Sequence, residues 1–216
     1  MSDTIYPTLP YNPKLFNCLR HLEDSYQVLE HRKVSRDKLS LIRSLFHRHK
    51  VHKTFGVMIL HRHFDMAPDE KLVEYGTVTT PWQLSDTNEI FGGKAVPRCW
   101  AFSKGELYPI EFGFNPSGEK TYPEVTFRAD FVREFYELLS QLKLDDIFGL
   151  TVLDDGNRLV LRGIERTVGR VSVTLPVTDE QATAAVESVW SFGCHESMDD
   201  STFWPARICW VCQSCK

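Results

Sequence analysis

The chain has 216 residues, 42% hydrophobic and 25% charged, with a formal net charge of −4. Such a length and apolar content support a buried core without staples, and exclude a disordered, collagen-like or coiled-coil protein. The mildly acidic balance weighs against nucleic acid as a partner, since that role draws on a positive field.

Residues 1–13 hold Pro7, Pro10 and Pro13 and no hydrophobic period, so they are expected to form an extended arm. In residues 14–32, Leu15, Phe16, Leu19, Leu22, Tyr26 and Leu29 recur at three- and four-residue steps, which predicts one amphipathic helix. Ser35 is placed to cap a second helix whose apolar stripe is Leu39, Ile42, Leu45 and Phe46. Its basic, histidine-rich end, residues 47–53, complements the helix dipole. Residues 55–64 are branched and apolar and read as a strand; residues 66–69 form a turn, and residues 70–80 form a second strand stopped by Pro81. A polar loop over 85–97 follows, then strands over 98–102 and 107–112 around Lys104-Gly105, and a break at residues 115–118.

Residues 129–147 give the clearest helix, with Phe131, Phe135, Leu138, Leu139 and Leu142 on one face and Gly149 as its stop. Strands over 150–153 and 158–162 flank an Asp-Gly turn, and residues 170–175 form another. Thr178 and Gln181 make a capping box for a last helix that buries Ala182, Ala185, Val186 and Val189. The expected fold is α+β: a largely antiparallel sheet packed by helices. The arm precedes a single domain over residues 14–192, and a cysteine-rich tail spans 193–216.

No basic and apolar leader opens the sequence and no run of 18 apolar residues occurs, so a cytoplasmic setting without a membrane partner is expected. Of the six cysteines, Cys194, Cys209, Cys212 and Cys215 crowd the tail. Two C-x-x-C steps after Cys194 allow structural zinc ligation; free thiols are the plainer alternative.

Five histidines lie between positions 47 and 63. On a strand His61 and His63 share a face, and two imidazoles on a rigid face are half of a metal site. If residues 55–64 and 70–80 form a hairpin with Phe64 opposite Lys71, then His61 faces Glu74 and Glu70 lies diagonal to His63. Slipping the register by one residue would bring Lys71, Val73 and Tyr75 to the histidines instead. With Phe64 opposite Lys71, His61, His63 and Glu74 are expected to ligate a divalent cation (iron, manganese or zinc), with Glu70 as a second carboxylate that either supports the ligands or acts as general base. Without metal, His61 is the base and Glu74 orients it. Packed or surface histidines, with the acids in salt bridges, are the structural alternative.

Gly56, His61-Arg62-His63, Glu70 and Gly76 together resemble the first metal-binding motif of the cupin family, with a longer gap between His63 and Glu70. That resemblance implies a β-barrel with a cation held by the histidines and the glutamate. His63-Phe64-Asp65 resembles the H-x-D of iron(II) and 2-oxoglutarate oxygenases, with His195 and Arg207 as distal partners. The string LHRHFD over residues 60–65 is similar to one in proteins of filamentous fungi and implies no chemistry.

The functional expectation is an enzyme for a small molecule, whether oxygenase, isomerase, lyase or hydrolase, with His61, Glu70 and Glu74 as catalytic residues. The alternative is a non-enzymatic ligand-binding or interaction module carrying zinc in its tail.

Overall fold

The computed structural model describes residues 4–85, 92–119, 122–153, 163–176, 185–192 and 204–210, the last segment by its backbone path. Helices α1 (Pro13–Asn17), α2 (Leu22–His31) and α3 (Arg36–Arg48) come first. Strands β1 (Phe55–Ile59), β2 (Glu70–Tyr75), β3 (Val78–Gln83), β4 (Gly93–Ser103) and β5 (Glu106–Pro116) follow. After helix α4 (Ala129–Leu142) come β6 (Phe148–Val152), β7 (Gly163–Val168), β8 (Val171–Pro176), β9 (Ala185–Ser191) and β10 (Trp204–Trp210). No helix among the described residues is long and apolar enough to cross a membrane.

The strands hydrogen-bond in the cyclic order β1-β6-β4-β5-β2-β3-β8-β7-β10-β9, a closed barrel. The sheet is mixed: β2 runs parallel to β5 and β10 parallel to β7, while the other neighbours are antiparallel. The expectation of helices packed on a sheet therefore holds at the level of class, and the sheet closes on itself.

Several elements differ from the sequence reading, each for a local reason. The first helix is two, broken where the carbonyls of Leu19 and Arg20 accept hydrogen bonds from Arg62. Pro81 does not stop its strand. Gly76, with φ 63°, turns the chain, and β3 runs back along β2 through Pro81 to Gln83. Among the described residues the ladder between β3 and β8 does not extend beyond Thr79, so the missing proline N–H costs nothing there. α4 ends at Lys143 in the left-handed conformation, φ 57°, and Gly149 instead lies inside β6. The last helix is replaced over Ala185–Ser191 by β9, where Val186, Ser188 and Trp190 are buried in alternation, a period of two. Ala182, the capping box and the 154–162 turn and strand lie outside the described residues.

The core sits largely between α3, α4 and one face of β1, β6 and β9. Phe46 meets Phe131, Phe135 and Phe192 edge-on with ring centroids 5.0–5.4 Å apart. Val57 and Ile59 point into this layer, while Met58 and Leu60, on the other side of the chain, pack with Leu72, Cys99, Ala101, Ile110 and Phe16.

Candidate functional site

β1 and β2 do not pair, which removes the hairpin register that would have set His61 against Glu74. β1 lies between β6 and β9, and β2 between β3 and β5. Past Ile59 the chain leaves the sheet because α2 and the turn before it capture its backbone. Ser25 Oγ donates to the Leu60 carbonyl at 2.8 Å, and the Arg62 amide donates to Arg20 at 2.9 Å. His61 and His63 thus stand on a bend between β1 and β2, not on a strand.

The bend still brings the two rings together. His61 is 7% exposed. Its Nε2 lies 3.3 Å from His63 Nε2, with ring centroids 4.9 Å apart and planes at 86°. His61 Nδ1 lies 2.9 Å from the Ile59 carbonyl. A carbonyl only accepts, so Nδ1 is the donor of this contact, and in the neutral ring the lone pair is on Nε2. The carboxylate beside the pair comes from β7: Glu165 Oε1 is 3.5 Å from His63 Nε2. Sequence reasoning missed Glu165, and no local signal could have found it. It stands in a short strand whose neighbours are β8 and β10.

The two acids singled out from the sequence are held by arginines. Arg98 forms a buried ion pair with Glu74, and each side chain is 6% exposed. Tyr122 Oη donates to the same carboxylate at 3.0 Å and Thr79 Oγ1 at 3.4 Å. A bulge aims Arg98 there: Pro97 faces Phe112 and Cys99 faces Glu111, so Arg98 has no opposite residue. Glu70 takes two hydrogen bonds from Arg170, one of them at 3.0 Å, and one from the Ala67 amide at 2.8 Å. The Arg170 guanidinium holds the Glu70 carboxyl below the ordinary range against the opposing effect of burial. Arg170 also caps the Phe64 ring at 5.5 Å and donates to the Asp65 carbonyl.

Gly56, His61, His63, Glu70 and Gly76 of the cupin-like motif therefore fall on β1, the bend, β2 and the turn after it. Of the tail cysteines, Cys209 lies in β10 opposite Val186 and beside Glu165 by backbone register. Cys194, His195, Cys212 and Cys215 lie outside the described residues. Cys99 is buried and hydrogen-bonded to Thr151; burial pushes its thiol well up, which makes it a poor nucleophile.

Among the described residues, no group of three or more His, Cys, Asp or Glu side chains could hold a metal ion. A cavity of about 260 Å³ lies elsewhere, lined by Val51, Phe55, Val125, Phe127, Arg128 and Phe131 among others. Its walls are mainly apolar and include none of the histidine cluster. No family model, curated protein or solved structure matches the chain.

Proposed function

We propose that the protein is an enzyme that transfers a proton on a small molecule at the His61–His63–Glu165 cluster. The observation that supports this reading is the approach of the two imidazoles to each other beside the Glu165 carboxylate. His61 Nδ1 contacts the Ile59 carbonyl, and its Nε2 faces a second imidazole beside a carboxylate. A proton taken up by His63 stays within reach of both His61 and Glu165, so the charge formed is met by an acid. This keeps the two histidines of the sequence reading and replaces Glu74, already engaged by Arg98, with Glu165.

The test is a panel of small molecules with acidic C–H or hydrolysable bonds, incubated with the protein in deuterated water and followed by proton NMR. Turnover or deuterium uptake by wild type, lost in His63→Asn and His61→Asn variants of unchanged circular dichroism, supports the reading. Equal turnover in the variants, or none by wild type across the panel, refutes it.

A further inference from the structure

We propose that the cavity between the α3–β1 corner and the start of α4 binds a flat, uncharged aromatic molecule of two fused rings. The site is separate from the histidine cluster and does not depend on the proton chemistry placed there.

The cavity arises where an irregular segment crosses a layer of helix and sheet. Residues 123–127 belong to no helix or strand, and Val125 and Phe127 pack into the core. The other apolar walls are Val51 and Phe55, at the turn into β1, and Phe131 in the first turn of α4. Each wall is anchored through its backbone. The Phe55 amide donates to the Val51 carbonyl at 2.9 Å, and Phe55 pairs with Val152 in the ladder. The Tyr6 amide donates to the Phe127 carbonyl at 2.8 Å, and the Ala129 amide to the Thr4 carbonyl at 2.9 Å. Walls held in this way keep the space open, so a guest meets a site already formed.

Volume and lining select the guest. An apolar cavity of about 150 Å³ stays dry and takes up benzene. At about 260 Å³ this one has room for a second fused ring. It is smaller than the clefts of about 300–1,000 Å³ that hold drug-sized ligands. The Phe55 ring lies near-parallel to those of Phe127 and Phe131, at 21° and 15°, with centroids 5.1 Å and 6.2 Å away. A flat guest meets such faces and edges at the spacing of about 4.5–7 Å that aromatic pairs favour. The charged side chain at the wall is Arg128, and it is already engaged. Its guanidinium donates twice to the Asp130 carboxylate, at 3.2 Å and 2.5 Å, and that carboxylate also accepts from the Phe131 amide at 2.8 Å. A charged guest would therefore give up its hydration beside a pair whose charges already meet. Thr54 and Thr126, both exposed, offer a polar edge to a single hydroxyl or N–H of the guest.

The experiment titrates naphthol, an uncharged probe of two fused rings, into the full-length protein by calorimetry. Naphthoate, the same rings carrying a carboxylate, is the comparison. Naphthol should bind with a dissociation constant on the order of 0.1 mM, and naphthoate about tenfold more weakly or worse. In NMR spectra of the wild-type complex, bound naphthol should show Overhauser contacts to the methyl groups of Val51 and Val125. Val51→Trp and Val125→Trp, each filling the space, should weaken naphthol about tenfold or more with cooperative unfolding retained. His63→Asn should bind naphthol as wild type does. No binding at about ten times the expected constant overturns the proposal. So does naphthoate bound as tightly, naphthol bound without contact to either valine, or binding lost in His63→Asn, which would place the probe at the histidine cluster. If both tryptophan variants fail to fold, the Overhauser contacts decide alone.

Discussion

Replacing Arg98 by Met should be among the most damaging single changes in the protein. Arg98 and Glu74 are each 6% exposed, and Glu74 has Tyr122 and Thr79 as its other donors. Met fills the aliphatic volume and withdraws the cation, so the Glu74 carboxylate stays buried beside the hydroxyls of Tyr122 and Thr79 without its guanidinium. Breaking one side of a buried ion pair costs about 3–5 kcal/mol. A domain of this size shifts by about 2–4 °C per kcal/mol, which gives a fall in Tm of roughly 6–20 °C. The Arg98 guanidinium also lies 5.3 Å from the Tyr122 ring centroid, and that contact adds to the loss. Adding Glu74→Gln to Arg98→Met should recover much of the loss, because a neutral amide can share the two hydroxyls. Urea unfolding followed by tryptophan fluorescence, run for both single variants, the double variant and wild type, measures the coupling. An Arg98→Met loss below about 1 kcal/mol, the scale of an exposed pair, would show that the Glu74 carboxylate is not desolvated as described.

Phe46→Ala removes a side chain of 0% exposure that touches three other phenylalanines, and should cost about 3–5 kcal/mol in the same urea assay. Gly113→Ala would drive its new Cβ to 2.3 Å from the Tyr122 ring, and a loss of about 1–3 kcal/mol in thermal unfolding is expected, largely absent in a Tyr122→Ala background. Acid unfolding has a defined sign. The Arg170 guanidinium holds Glu70 below its ordinary value; burial raises Asp146, but hydrogen bonds from Arg32 and Arg20 outweigh this and hold it low. Both contributions are present above the unfolded carboxylate value of about 4 and are lost as pH falls through the lower folded values. Arg170→Ala should therefore lower stability at neutral pH and flatten its loss below about pH 4, read from Tm against pH. Thiol labelling followed by peptide mass spectrometry should modify Cys18, which is exposed, well before Cys99; early labelling of Cys99 would contradict its burial.

What the sequence made legible was local. Ser35 caps α3 and its Oγ accepts from the Lys38 amide, as its position implied, and the stripe Leu39, Ile42, Leu45 and Phe46 is buried. Lys104 and Gly105, both at positive φ, make the two-residue turn between β4 and β5. Long-range pairing was not legible. The parallel partners of β2 and β7 leave no periodic trace, and the register of β1 depends on β6 and β9, neither of which adjoins it in sequence. At the candidate site, two neighbouring histidines were visible because a bend as well as a strand can bring positions two apart together. Their acid was not visible, because nearness in sequence favoured Glu70 and Glu74. The arginines that occupy those acids, Arg98 and Arg170, arrive on a bulge and a hairpin turn. A segment rich in Ala and Val with a capping signal reads as helix by propensity, yet β9 takes a strand because the ring needs a partner for β1.

The cyclic strand order carries a consequence for biosynthesis. β1 finds one of its two neighbours only at Val189 and Trp190, and the gap between β9 and β7 is filled by residues 204–210. A nascent chain emerging from the ribosome with α1–α4 and β1–β6 complete still has an open seam, with backbone donors and acceptors of β1 and β3 unpaired. Sealing waits for translation to pass Trp210, so until then the earlier strands present open edges of the kind that pair with other molecules.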